Sequence, residues 1–445
     1  ATYGVKGVIA DLRIVKGAAL YTADFTPPYA PLTTAGSGTT VLLAQPGKVA
    51  DSENVAAKDP DAYMKAVIWT GDGSNSRDIP IGFNPDFVWI KNRTGTANSH
   101  ATFDSVRGFG KKHLWTDLTN GETANEFGHV SGVSNNNITV TAGTSDDTYV
   151  NNSNTTYVGW VWKAGGTPSG GFTGTEAMVD GVETTTTALK DAAGASVTPS
   201  AMSVNTKAGF SIVKYIGNNT AGATIPHGLS SAPEFVIIKN LTDSVSAKWG
   251  VFHKDSISSG VLYLDDAAVA ASADTNVFNS LNASTISTIN TITIGNYNGT
   301  NGNGDEHIMY CWNSVAGYSA FGSYTGNGTT NGAFIYTGFK PAWVMIKVYS
   351  STLTGSTPDY FSWSIYDNAR KPYNTNHSPL YANYAVPENY RGNETTTTGG
   401  DALHLDFLSN GFKLRNGGSE VNPASTSYCI YAAFAEEPVP YATAR

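Results

Sequence analysis

The feature that most limits what this chain can fold into is an internal repeat. Six landmarks occur three times in the same order, so one structural unit is used three times. Each copy opens with an aromatic residue and a glycine-rich turn: Trp69-Thr70-Gly71-Asp72-Gly73, Tyr215-Ile216-Gly217-Asn218-Asn219 and Tyr324-Thr325-Gly326-Asn327-Gly328. A Gly-Phe or Gly-Leu pair (Gly82-Phe83, Gly228-Leu229, Gly338-Phe339) then leads to a proline, 14, 16 and 15 residues beyond the first glycine. Pro85, Pro233 and Pro341 introduce the apolar runs Phe87-Val88-Trp89-Ile90-Lys91, Phe235-Val236-Ile237-Ile238-Lys239 and Trp343-Val344-Met345-Ile346-Lys347. A proline is tolerated where a strand begins, because its missing N–H costs the ladder least there. An aromatic-acid element follows, Phe103-Asp104 with Arg107, Tyr366-Asp367 with Arg370, and the degenerate Phe252-His253. Next come Leu114-Trp115-Thr116-Asp117, Leu262-Tyr263-Leu264-Asp265 and Leu380-Tyr381-Ala382-Asn383. Short alternating strands come after these, Ile138-Thr139-Val140, Ile292-Thr293-Ile294 and Phe412-Lys413-Leu414, with the period of two of a half-buried strand. Each copy closes on an aromatic-rich strand, Tyr157 to Trp162, His307 to Trp312 and Tyr428 to Phe434.

The copies occupy residues 62–166, 207–318 and 319–438, each the size of one small β domain. Residues 1–45 differ in kind, 46–61 form a linker and 439–445 a tail. Between the first and second copies, residues 167–206 are rich in Thr, Gly and Ala, with the run Thr184 to Thr187, and are expected to be an extended or loosely ordered connector, the joint at which the chain bends. The second and third copies abut and are expected to form a stiff pair. A second run, Thr395 to Thr398, fits an enlarged surface loop. Apolar residues make up 40% of the chain, enough for real cores, while Gly, Ser, Thr and Asn dominate the rest. Short strands at regular spacing without a long amphipathic helix predict an all-β fold, tandem β-sandwich or jelly-roll-like domains.

Formal charge is 27 minus 36, or −9, and the basic residues are scattered singly, which disfavours nucleic acid as a partner. No apolar run approaches the roughly 18 residues of a membrane-spanning helix, so no membrane insertion is expected. The chain opens Ala1-Thr2-Tyr3 without an initiator Met, so residues upstream remain open. Cys311 and Cys429 read as small buried hydrophobes, with a disulfide between them as the alternative. The eight histidines, His100, His113, His129, His227, His253, His307, His377 and His404, lack metal-binding spacing and read as structural. The adjacent carboxylates Asp146-Asp147 and Asp265-Asp266 do not suit acid/base catalysis, which draws its pair from separate elements. The Asp-Arg pairs Asp104/Arg107 and Asp367/Arg370 fit either a clamped turn or a sugar contact, and recurrence in divergent copies favours the clamp. By the same reasoning Trp115, Tyr263, Tyr381, Trp160 and Trp312 belong to a core rather than to a stacking platform. Gly326-Asn327-Gly328 is a turn, not a phosphate cradle. No catalytic residue, metal or cofactor is assigned, and ligand-binding residues stay unknown.

The run Gly7 to Thr22, continuing to Phe25-Thr26-Pro27-Pro28, resembles the C-terminal end of laminin-G-like, concanavalin-type lectin domains found in phage structural proteins. Gly82 to Lys91, Phe103 to Gly108, Tyr157 to Gly166 and Ala433-Phe434-Ala435-Glu436 resemble a repeat of tailed phages of marine bacteria, cyanophages in particular. The resemblance implies a non-enzymatic virion protein made in the bacterial host cytoplasm, a tail-fibre or other particle-surface component that contributes to host-glycan attachment. It further implies a homo-oligomer, with a trimer as the expectation for fibres, and other virion proteins as partners. The alternatives are a capsid-surface decoration protein and a tail glycan depolymerase. The resemblance carries no catalytic residues to transfer.

Overall fold

A computed structural model describes residues 59–94, 98–124, 126–144, 148–168, 176–243, 247–270, 274–350, 361–388, 390, 403–424 and 427–436. It also describes the backbone of two strands nearer the N-terminus. The chain divides into two units, residues 1–54 and 55–445. In the first, β1 (Leu12–Val15) pairs antiparallel with β2 (Thr39–Leu43). The rest of the stretch read as a lectin-domain end lies outside the described residues, as do Asp146-Asp147 and Thr395 to Thr398.

The second unit is almost entirely β. The first copy contributes β3 (Met64–Thr70), β4 (Arg77–Pro80), β5 (Phe87–Asn92), β6 (Ala101–Asp104), β7 (Leu114–Trp115), β8 (His129–Ser134), β9 (Asn137–Thr141) and β10 (Thr156–Trp162). These form a main sheet of order β3-β10-β5-β6-β7 and a small sheet β4-β9-β8. The connector contributes β11 (Glu176–Val179), β12 (Val182–Thr185), helix α1 (Thr186–Ala193) and β13 (Ala201–Asn205). The second copy follows with β14 (Phe210–Ile216), β15 (Ala223–Pro226), β16 (Phe235–Asn240), β17 (Gly250–His253), β18 (Leu262–Tyr263), β19 (Thr291–Ile294) and β20 (Glu306–Trp312). The third has β21 (Ser319–Thr325), β22 (Phe334–Tyr336), β23 (Pro341–Ser350), β24 (Ser364–Asp367), β25 (Leu380–Tyr381), β26 (Leu405–Leu408), β27 (Gly411–Leu414) and β28 (Tyr428–Ala435). The order β14-β20-β16-β17-β18 and the order β21-β28-β23-β24-β25 repeat that of the first main sheet, with β15-β19 and β22-β27-β26 as the small sheets.

The apolar runs are explained by what covers each face of the main sheets. Alternate residues of a strand point to opposite faces. In β5, Val88 and Ile90 face the first copy's own small sheet, whereas Phe87 and Trp89 face a core shared by all three copies. Phe235 and Ile237 of β16, and Trp343 and Met345 of β23, enter the same shared core, while Val236, Ile238, Val344 and Ile346 line local ones. The closing strands add Val158, Trp160 and Trp162, then Ile308, Tyr310 and Trp312, then Ile430, Ala432 and Phe434. Aromatic rings meet across every junction: Phe87 and Tyr310 at 4.6 Å, Trp162 and Trp343 at 5.5 Å, Phe235 and Phe321 at 5.9 Å. A main sheet apolar on both faces cannot leave one face in water, so the three sandwiches close on one another.

This arrangement corrects two expectations. The copies are not a string with a bend after the first, because one core holds all three. Nor is 167–206 a loose connector throughout: β13 pairs antiparallel with β14, β11 runs parallel to β13, and together with β12 they widen the second main sheet to eight strands. The threonine run ends β12 and caps α1, where the Thr185 hydroxyl accepts a hydrogen bond from the Ala188 N–H at 3.1 Å. Packing overrides composition here: Met202 and Val204 of β13 are fully buried in the second copy's core.

Candidate functional site

The recurring polar landmarks converge on the three junctions between copies. Asp104 Oδ1 accepts the backbone N–H of Val106 and Arg107, and its Oδ2 accepts Arg107 Nε at 2.5 Å. The remaining guanidinium donors reach the carbonyls of Lys112 and Thr102 and the Glu122 carboxylate. Asp367 and Arg370 repeat this, with donors to the carbonyls of Ser378 and Ile365 and to Glu388. Both guanidiniums are buried, and although burial opposes the charge, the adjacent carboxylates Asp104 and Asp367 hold each above the ordinary arginine pKa. Their hydrogen-bonding capacity is spent inside the protein, so the clamp reading stands and a sugar contact does not.

Each clamp also receives a donor from the neighbouring copy. Tyr310 Oη donates to Asp104 Oδ2 at 2.8 Å, joining the second copy to the first. Trp160 Nε1 donates to Asp367 Oδ2 at 3.0 Å, joining the first to the third. At the remaining junction the acid is His253, the arginine position holds Ser256 and the facing aromatic position holds Ala432; His253 Nε2 lies 3.3 Å from the Tyr431 carbonyl instead. Burial pushes the His253 pKa down to about 3, so the ring is neutral and donates to that carbonyl.

Three lysines complete the ring, and these the sequence reading passed over. Lys91, Lys239 and Lys347 share a face with Phe87, Phe235 and Trp343 and are fully buried. Each Nζ caps a carbonyl five residues past the leucine of the next copy's Leu-aromatic landmark. Lys91 reaches Ala385 at 3.1 Å, Lys239 reaches Thr119 at 2.7 Å and Lys347 reaches Ala267 at 2.8 Å. Lys347 also donates to the Ala268, Val348 and Phe361 carbonyls. Burial pulls the three amines down, to about 7, 8 and 7 respectively. The available signal was a lysine ending the same apolar run in all three copies, but such a residue reads as the solvated end of a strand.

The Asp or Asn of the Leu-aromatic landmark fixes the start of an adjacent strand. Asp265 Oδ1 accepts the Trp249 N–H at 3.0 Å and Asn383 Oδ1 the Trp363 N–H at 2.8 Å, while Asp117 is held by the His100 backbone. The anchored tryptophans then cross the junction, Trp249 Nε1 to the Trp115 and Leu118 carbonyls and Trp363 Nε1 to the Tyr263 carbonyl. Three backbone bonds close the ring: Glu122 N–H to the Leu241 carbonyl, Ala270 to Tyr349 and Glu388 to Arg93, at 2.8, 2.9 and 3.0 Å. The contacts are cyclic, copy one holding three, three holding two and two holding one, so the unit has an approximate threefold axis within a single chain.

The other candidates are structural in position. Trp115, Tyr381, Trp160 and Trp312 are buried and Tyr263 is half-buried. Burial raises Asp265 to about 6, and Asp266 pairs with Lys248. His404 is half-buried and the other seven histidines are buried. Cys311 and Cys429 are free and buried in different local cores. Gly326 sits in a turn held by Asn327 and Asn422. Among the described residues no three His, Cys, Asp or Glu side chains are grouped to hold a metal ion.

Fold and site define an all-β protein in which three β-sandwich copies form one closed ring and the recurring polar residues are its fastenings. The chain belongs to the family described as a domain of unknown function, DUF7483, whose model matches residues 59–438 and so takes in all three copies together. No curated protein and no solved structure matches the chain.

Proposed function

We propose that this chain is a non-enzymatic structural protein of a phage particle surface, a tail-fibre or similar component that carries loops toward the host and contributes to attachment to its glycans. The observation that carries this reading is the cyclic closure of three copies on one core. The polar residues that recur are spent on holding the ring rigid, as a load-carrying part requires. In the first copy Met64, Trp162 and Phe87 lie in register, and in the third Pro341 pairs with Ala435 and Ser319 with Phe434, so β3 starts and β28 finishes at corresponding ends of their sheets. Lys91, Lys239 and Lys347 lie toward the other end of their strands, the end assigned here to face away from the point of attachment. A fibre head normally draws its threefold form from three chains; here one chain supplies it, so a single copy suits a threefold position among other virion proteins.

The test is a cryo-electron-microscopy reconstruction of the intact particle with this chain located in it. Density for the ring at the tail periphery, with the Lys91, Lys239 and Lys347 end outward, is the expected result. Copies seated across the capsid lattice would make it a decoration protein, and absence from purified particles would overturn the particle role altogether.

A further inference from the structure

Exposed aromatic rings distinguish one copy from the other two. Among the described residues all of them, Phe334, Tyr336, Tyr373, Tyr384, Tyr390 and Tyr428, belong to the third copy, whereas the large apolar side chains exposed in the first two copies and the connector are aliphatic. Two of the rings sit together on regular structure whose flanking segments, 319–350 and 403–424, are described throughout. Phe334 and Tyr336 alternate with the buried Ile335 along β22, so both point away from the local core, at 45% and 67% exposure. The fold does not require them. Phe334, opposite Lys413, corresponds to Asp78 opposite Thr139 in the first copy and to Thr224 opposite Thr293 in the second, and Tyr336 corresponds to Pro80 and Pro226. Asp78 accepts the Thr139 hydroxyl at 2.7 Å and the Thr224 hydroxyl accepts the Ser196 N–H at 2.9 Å, so each serves its own copy, whereas the third copy exposes apolar surface in the same place. Tyr336 is seated as well as exposed: its ring rests against Gly338, where φ is +86° and a Cβ would stand 3.6 Å from the phenol oxygen.

Size and polarity select the occupant. A Phe or Tyr side chain presents about 150–250 Å², so at these exposures the two rings offer roughly 200 Å² together, against roughly 800 Å² a side for a stable protein interface. That area suits one or two sugar rings, and a net charge of −9 disfavours the bases of a nucleic acid. The neighbours across the sheet are polar. Lys413 Nζ spends one N–H on the Gly332 carbonyl at 2.8 Å, and Arg415 is held by Asp406, the cross-strand partner of Lys413, at 2.6 Å while its side chain stays 46% exposed. We propose that the outer face of the small sheet β22-β27-β26 is a saccharide site. A pyranose ring lays its C–H face on Tyr336 and Phe334, and Lys413 and Arg415 donate to its oxygens. The site rests on the attachment reading for the source of the saccharide, a host-surface glycan, and on the third copy's own geometry for its place.

The probes are the methyl pyranosides of glucose, galactose, mannose and N-acetylglucosamine, each added to the full chain and followed by saturation-transfer-difference NMR. The expected result is transfer to the ring C–H protons of at least one of them, reduced about fivefold or more in the double variant Phe334→Thr/Tyr336→Ser, as the loss of a stacking contact implies. Both substitutions are on the solvent side of β22, and an unchanged denaturation midpoint checks that the variant is folded. Tyr336→Phe, which keeps both stacking faces, retains the signal. Absence of transfer from all four probes at about 50 mM, where millimolar binding would register, or equal transfer in the double variant, would overturn the site. The assay uses the isolated chain, so a negative result strikes the saccharide site and leaves the particle role to the reconstruction, and the two fail separately.

Discussion

If the three copies share one core, a substitution at a junction weakens the whole unit rather than the copy that carries it. Tyr310→Phe is the sharpest test. It keeps the ring in the aromatic core and deletes only the hydroxyl that donates to Asp104 Oδ2 at 2.8 Å. Asp104 keeps its two backbone donors and Arg107, so no bare carboxylate is left, and the loss is that of one hydrogen bond to a charged acceptor, about 1.5–3 kcal/mol. For the unit of residues 59–438, an unfolding entropy of about 0.8 kcal/mol/K turns 2 kcal/mol into a Tm change of only about 2–3 °C. Denaturant titration is therefore the better assay, read by the fluorescence of the nine tryptophans, which lie in all three copies. The expected result is one transition whose midpoint falls with an unchanged slope. Separate transitions, with only the one assigned to the second copy displaced, would refute the shared core, and a change below about 0.5 kcal/mol would refute the energetic role of the bond.

Other perturbations test the remaining elements. Lys347→Met removes the donor shared by the Ala267, Ala268, Val348 and Phe361 carbonyls, the Ala268 one part-buried and the others buried, and is expected to cost about 3 kcal/mol at pH 7, measured by the same titration. The lysine amines lie lower in the fold than in the unfolded chain, so folding releases protons, and stability should rise between about pH 7 and 10.5. Lys347→Met should reduce that slope by up to about 1.4 kcal/mol per pH unit, and an unchanged slope would count against it. Gly165→Ala places a Cβ 2.3 Å from the Met178 carbonyl and 2.4 Å from that of Val204, so it should destabilise by about 2–4 kcal/mol if 176–205 is built into the fold, and by almost nothing if that stretch is a loose connector. Burial raises both thiol pKa values, that of Cys429 to about 12, so Cys311 and Cys429 should resist thiol reagents at pH 8 until the chain unfolds; fast labelling of the native chain would contradict their placement.

Much of this was legible in the sequence, and the gaps have physical causes. The proline-led apolar runs and the aromatic closing strands are the central strands of each main sheet, and Asp104/Arg107 is the clamp its recurrence suggested. What the sequence could not convey is the partner of the second face. Phe87, Trp89 and Val88 read as one buried strand whether the outer cover is a further sheet of the same copy or two other copies. Lys91, Lys239 and Lys347 were overlooked because a buried ammonium is intelligible only once the carbonyls it caps are in place. The segment 176–205 was misread because threonine and alanine carry little periodic signal, and what places β13 is the open edge of β14, a tertiary fact.

The degenerate second copy shows which parts act as a unit. There the acid, the arginine and the glutamate of the clamp are replaced together, by His253, Ser256 and Ala270, and the facing aromatic donor of the third copy is replaced as well, by Ala432. Losing the arginine alone would leave a buried carboxylate without its counter-charge, and losing the carboxylate alone would leave a buried guanidinium, each costing several kcal/mol. Losing all of them is tolerable because the groups that remain are neutral and paired: His253 finds the Tyr431 carbonyl, and Ala270 keeps its backbone bond to Tyr349. The backbone and lysine contacts, which recur at all three junctions, therefore form the common fastening, and the clamp is an addition that a junction holds whole or lacks.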